Sequence, residues 1–161
     1  MRCSLSLQRG KSACLHPSTF SPTHRIDVFD CDGESGLTGR RPFAEIPAEA
    51  GGPDDLTVDE EGGVWVALYG GGAVRRYTPE GMLDEVIEVP AKQFTACTFG
   101  SSDLDELFIT TSREGLEPGK DPLACSLSGA LWALPVDGSG VRRMSGSSCS
   151  GSRRSVRSIR E

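Results

Sequence analysis

The sequence predicts an all-β chain arranged as a partial β-propeller, and three observations carry that expectation. Short apolar or alternating runs recur between turns along most of the 161 residues, with 20 Gly and 10 Pro, and no amphipathic helix interrupts them. A strand followed by an acid and a glycine occurs three times, at residues 24–33, 72–81 and 129–138, so that His24, Gly72 and Gly129 are offset by 48 and 57 residues. A second repeat sets residues 56–67 beside residues 96–110. Periods of this size in an all-strand chain mark a propeller, in which each four-stranded blade buries its faces only against neighbouring blades. The strands suffice for about two and a half blades.

Residues 1–20 show neither helical nor strand periodicity and read as an irregular lead. Pro22 opens the blade region, expected over residues 21–141. In residues 25–30 the polar Arg25, Asp27 and Asp30 are interleaved with Ile26, Val28 and Phe29, the pattern of a half-buried strand. Residues 31–39 read as a turn rich in Asp and Gly. Asp30, Asp32 and Glu34 at alternate positions suggest a calcium loop, but Ser35 and Arg41 stand where such a loop needs its Gly and its final Glu, so a solvated hairpin turn is expected. Residues 40–47 form another short extended piece.

The centre of the chain is residues 51–77. Residues 56–58 read as a strand, residues 59–63 as a charged, glycine-closed turn, and residues 64–68 (VWVAL) as an unbroken apolar strand buried on both faces. Gly70, Gly71 and Gly72 reverse the chain into residues 73–77. After a Pro-Glu-Gly turn, strands are expected at residues 82–89, 94–99, 106–111 and 130–134. The Ser-, Gly- and Arg-rich residues 142–161 lack the apolar surface to order themselves and read as a disordered tail.

Charge narrows the partners. The net charge is −6, but Arg2, Arg9 and Lys11 in residues 1–18 and six Arg against Glu161 in residues 142–161 leave −14 on the body between them. Phosphate binding runs on cationic side chains releasing counterions, so no nucleic acid is expected on the folded body. No run approaches the ~20 apolar residues of a membrane span, and no apolar export segment is visible near Met1, so the cytoplasm is expected, without a membrane partner. Cys3, Cys14, Cys31, Cys97, Cys125 and Cys149 include no Cys-x-x-Cys pair, which argues for thiols over a zinc site or a disulfide framework.

Among single residues, Asp54 and Asp55 sit at the mouth of the central strands. Asp59, Glu60 and Glu61 read as a solvated turn, Trp65 and Trp132 as blade core, and His16 and His24 as structural or surface groups without a second His at ligand spacing. Cys97 lies in a strand with no nearby base, which disfavours a nucleophile.

Residues from about 21 to 141 resemble the later blades of the senescence marker protein, gluconolactonase and luciferin-regenerating enzyme family, which includes regucalcin. The pieces that carry the resemblance are PTHRIDVFD at 22–30, RRPFAEIP at 40–47, the Pro-Asp entrance and GGVWVAL core within 52–77, TACTFG at 95–100, DLDELFITTSREG at 103–115 and SGALWAL at 128–134. The resemblance implies a six-bladed propeller with one divalent cation, calcium or zinc, at the base of a central cavity, and hydrolysis of sugar lactones or related esters. It makes Asp54 the metal ligand and candidate general base, since a cation polarises the lactone carbonyl while a carboxylate beside it orients and deprotonates water. The family's remaining ligands, a Glu and an Asn, and its substrate-binding Arg and Asn lie upstream of the matched pieces. Asp55 replaces the glycine that follows the acid in the family. The expected function is therefore that of a fragment of a metal-dependent lactone hydrolase acting on a small sugar lactone. The alternative is a non-catalytic propeller fragment, either an interaction module that self-associates through exposed blade edges or an inactive truncated gene product.

Overall fold

The computed structural model of the chain describes residues 12–17, 24–32, 34, 36–117, 120, 127–137, 140–141 and 157–160. Its strands fall into three antiparallel groups. The first blade contains β1 (Ser12–Pro17), β2 (Arg25–Asp32) and β3 (Gly36–Glu45), in that spatial order. The second is β4 (Gly52–Val58), β5 (Val64–Tyr69), β6 (Ala73–Tyr77) and β7 (Leu83–Glu88), each paired with the next. The third is β8 (Gln93–Gly100), β9 (Glu106–Ser112), β10 (Leu131–Asp137) and the short β11 (Gly140–Val141). A single rung, Tyr69 to Gln93, joins the second and third groups. This is a partial propeller, as the strand repeats require.

Two apolar layers hold the blades face to face. Between the first and second lie Leu15, Ile26, Val28, Ala44 and Ile46 against Leu56, Val64, Val66, Leu68 and Tyr77. Between the second and third lie Trp65, Ala67, Val74, Ile87 and Val89 against Phe94, Cys97, Leu107, Ile109, Leu134 and Val136. Alternate residues of β5 thus enter opposite layers, which is why this strand is apolar throughout rather than alternating.

The repeats in the sequence are repeats of position. His24, Gly72 and Gly129 lie just ahead of β2, β6 and β10, and all three have left-handed backbones, with φ of 42°, 65° and 75°. The carbonyl of His24 accepts the Ile46 N–H at 2.8 Å, and the carbonyl of Gly72 accepts that of Val89 at 3.4 Å. Glycine takes this conformation without steric cost; His24 does not. The second repeat is the pair of innermost strands, β4 and β8, which both carry an irregularity near their start, between Pro53 and Leu56 and between Phe94 and Ala96.

Three boundaries differ from the sequence expectation. The lead read as irregular contains β1, whose neighbouring Cys14 and Leu15 are both buried, so no alternation announces it. The turn expected at 31–39 is largely strand: β2 runs to Asp32 and β3 begins at Gly36. The tail read as disordered contains β12 (Arg157–Arg160), which pairs antiparallel with β7. The exposed N–H and C=O groups of an outer strand are a template for another strand, and β12 uses it without needing a core of its own. Among the described residues no helix is long and apolar enough to cross a membrane.

Candidate metal and catalytic site at the bulge of β4

The chain approaches the site through a 3-10 turn, Ala48–Ala50, and then Gly51 with φ 93°. This approach is tight because it packs backbone on backbone. A Cβ at Gly51 would stand 2.5 Å from the Gly71 nitrogen, and one at Gly71 would collide with the Ala50 carbonyl oxygen. The glycines of the β5–β6 turn therefore let the start of β4 lie directly on that turn.

β4 pairs with β5 from Gly52 to Tyr69 and from Pro53 to Leu68, then resumes at Leu56 opposite Val66. Asp54 and Asp55 lie on the intervening bulge, outside the regular register. Bulges re-aim side chains in this way. Both acids are half-buried. Burial, with the neighbouring Asp55 charge second, pushes the Asp54 carboxyl above the usual carboxylate range. The Tyr69 hydroxyl is pushed up as well, by burial first and then by the charges of Glu114 and Asp54. Opposite Tyr69 in the ladder, the Gln93 side-chain oxygen is buried near Gly70 with no hydrogen-bond partner among the described residues, while its side-chain nitrogen lies near Gly115.

This arrangement offers a carboxylate with a raised proton affinity, a neighbouring acid and an amide oxygen without a hydrogen-bond partner among the described residues. Raised proton affinity suits a group that must take a proton near neutral pH. The donor set for a cation is incomplete: among the described residues no three His, Cys, Asp or Glu side chains come close enough together to hold a metal ion. Calcium takes six to eight oxygens, and zinc in a catalytic site three protein ligands.

The other singled-out residues are structural. Asp59 is the principal correction, because it is a hub and not a solvated turn acid. Its carboxylate accepts the Gly63 N–H at 2.6 Å, the Trp65 Nε1–H at 2.8 Å and the Arg76 Nε–H at 2.7 Å. Arg76 also pairs with Glu61 at 2.9 Å and with Asp84, and its guanidinium lies 5.9 Å from the centre of the Trp65 ring. The sequence shows two donors in apolar strands, Trp65 and Arg76, which need acceptors, but not which acid supplies them. Trp65 is core as expected, edge-on to Phe99, and Trp132 packs half-buried against the same layer. Cys97 is buried and directs its thiol to the Trp65 carbonyl oxygen at 3.5 Å. His24 is the left-handed residue ahead of β2, while the side chain of His16 lies outside the described residues.

Residues 16–113 match the SMP-30/Gluconolactonase/LRE-like region. The chain belongs to this family. Within the SMP-30/gluconolactonase family, it is 37% identical over 100 residues to regucalcin of Sus scrofa, an alignment covering 61% of this chain and 33% of that protein. A Sulfolobus acidocaldarius protein is 41% identical over 101 residues, covering 62% and 37%. Among solved structures, a calcium-binding protein, regucalcin, from Agrobacterium tumefaciens superposes with a TM-score of 0.66 at 29% identity, covering 80% of this chain and 42% of that one. A luciferin-regenerating enzyme gives 0.63 at 27%, covering 84% and 44%, and a gluconolactonase from Xanthomonas campestris gives 0.59 at 25%, covering 84% and 37%. These neighbours are six-bladed propellers. The chain spans about a third of the length of the regucalcins it matches and less than half of these structures. The region shared with the SMP-30/gluconolactonase family contains Asp54, Tyr69 and Gln93.

Proposed function

We propose that the chain is part of a divalent-cation-dependent hydrolase of small sugar lactones, with Asp54 as a metal ligand and the candidate general base. The observation that carries this reading is the placement of Asp54 on the β4 bulge with its carboxyl affinity for protons raised by burial. Membership of a family that includes a gluconolactonase and a calcium-binding regucalcin supports the substrate class and the cation.

The described donors do not complete a cation site, so the chain is assigned one part of the work. Asp54 orients a water and takes its proton as the water attacks a carbonyl carbon; a carboxylate with a raised pKa holds that proton better than an ordinary one. Asp55 contributes to that raised affinity as the neighbouring negative charge. Tyr69 and Gln93 stand beside the bulge, where a hydroxyl and an amide can meet the hydroxyl groups of a sugar. The remaining cation ligands come from outside the described residues.

Calorimetric titration with calcium and with zinc tests the assignment, comparing the chain with its Asp54→Asn variant. Uptake by the parent that is weakened at least tenfold in the variant is expected, and equal uptake by both would remove Asp54 from the metal site. In any active form, gluconolactone opening followed by acid release falls with the same substitution.

The second reading, a non-catalytic interaction module, is favoured by the exposed apolar face of the third blade, where Leu131 is 64% exposed.

A further inference from the structure

The outer edges of the blades are not alike. β3 ends the first sheet, and its pairing with β2 is broken twice, between Ile26 and Asp27 and between Val28 and Asp30, while Arg40, Arg41 and Pro42 lie along it. Bulges, charges and proline are the devices that keep a sheet edge from accepting another strand. β7 lacks two of them: it pairs with β6 in unbroken register from Glu85 to Glu88, and no proline falls within Leu83–Glu88. Its charges, Asp84, Glu85 and Glu88, are all of one sign. This is the edge on which β12 lies.

The register of β12 matches charge to charge. Arg157 stands opposite Glu88 and Arg160 opposite Glu85, with Ser158 and Ile159 opposite Ile87 and Val86. Opposite charges directly across an antiparallel pair stabilise it. Both the arginines and the glutamates are three residues apart, so a single register satisfies both. A slip of one or two residues in either direction would set Arg157 across from Ile87, Val86, Val89 or Pro90 instead. Glu85 adds a second constraint. It is only 2% exposed although β7 is the outermost strand of its blade, and carboxylates are almost never buried this far unless paired. The ladder gives it an arginine on each side, Arg76 of β6 and Arg160 of β12. Glu88, three residues on and therefore on the other face of the strand, is exposed.

We propose that the outer edge of β7 is a recognition site for extended protein segments carrying Arg-x-x-Arg, and that residues 157–160, Arg-Ser-Ile-Arg, are its built-in competitor. The backbone of β7 offers the hydrogen bonds that any added strand takes, and the two glutamates, one on each face, select the cations and their spacing. A basic helix does not match, because residues three apart on a helix share a face. Tethered through residues 142–156, the chain's own strand docks at an effective concentration on the order of millimolar. An outside segment therefore takes the edge only by binding more tightly or once the tail has lost its charges. The site lies three strands out from the bulge that carries Asp54 and does not depend on the hydrolase reading.

Amide hydrogen exchange of the full chain, read residue by residue by nuclear magnetic resonance, tests the docking. In the parent the amides of Leu83–Glu88 should all be protected, those turned to β6 and those turned to β12 alike. In Arg157→Glu/Arg160→Glu the amides turned to β12 should lose about tenfold or more of their protection, while those turned to β6 keep theirs and report an intact blade. Glu88→Arg, on an exposed residue, should weaken the same protection, and combining it with Arg157→Glu should restore it. Recognition is read by fluorescence anisotropy with a labelled peptide of residues 152–161. The charge-reversed chain should bind this peptide about tenfold or more tightly than the parent, whose edge is filled, and a peptide with both arginines reversed should bind neither. β7 protection indifferent to the reversal, a charge swap that fails to rescue it, or an opened edge that ignores the basic peptide would each overturn the site.

Discussion

Replacing Asp59 with alanine removes the acceptor for three donors at once. Trp65 and Arg76 are both buried, with 8% of the Arg76 side chain exposed, so water does not easily replace the lost carboxylate. Hydrogen bonds to a charged group contribute about 1.5–3 kcal/mol each, and breaking a buried ion pair from one side costs about 3–5 kcal/mol. These terms describe overlapping contacts and do not add. Arg76 keeps Glu61 and Asp84, which holds the expected loss near the lower end, about 3 kcal/mol. With a urea slope of about 2 kcal/mol per molar, the unfolding midpoint should fall by about 1.5 M, read by circular dichroism and by tryptophan emission. Glu61→Ala is the control. Its carboxylate is 58% exposed on the same arginine, and its loss should cost under about 1 kcal/mol. Equal midpoint shifts for the two variants, or a shift below about 0.5 M for Asp59→Ala, would refute the claim that this turn acid anchors the second blade.

Two further outcomes follow from backbone and charge. Asp54 is ionised less readily in the folded chain than in the unfolded one, because burial and then Asp55 raise its pKa. Below the ordinary carboxylate range both states hold the proton and no difference arises; as pH rises through that range and up to the raised folded value, the unfolded chain ionises first and folding weakens. Asp54→Asn should therefore match the parent near pH 3 and become the more stable of the two by pH 7 in urea titrations, and a gap that does not widen with pH would contradict the assigned burial. At His24, where φ is 42°, glycine should be tolerated to within about 1 kcal/mol, while His24→Val should lose about 2 kcal/mol by thermal unfolding, and a valine variant as stable as the parent would show that the left-handed turn ahead of β2 is not required.

The strands of the second and third blades were legible because their residues carry local signals. The run from Val64 to Leu68 is apolar since its two sides enter two layers, and the glycines at 70–72 mark the reversal that follows it. β1 was not legible, because Cys14 and Leu15 are adjacent and both buried, and burial of neighbours is not a strand period. Nor was β12, since strand addition is decided by the edge that accepts it and not by the composition of the added segment. Asp54 was singled out by resemblance, and the bulge that sets it outside the ladder is a register irregularity that no single-residue preference encodes.

By itself the sequence determined that this chain is built of repeated strands, where most of them run, and which family they come from, because turn chemistry and hydrophobic periodicity act over a few residues. Only the tertiary structure decided that Asp59 is an anchor, that Asp54 lies at a break in the β4–β5 register, and that Leu131 stands open where Ile26 and Val74 are covered. Those facts depend on which strands become neighbours. Partners distant in sequence meet only once the blades have stacked, so neither burial nor hydrogen-bond satisfaction can be assigned to a residue before its neighbours are known.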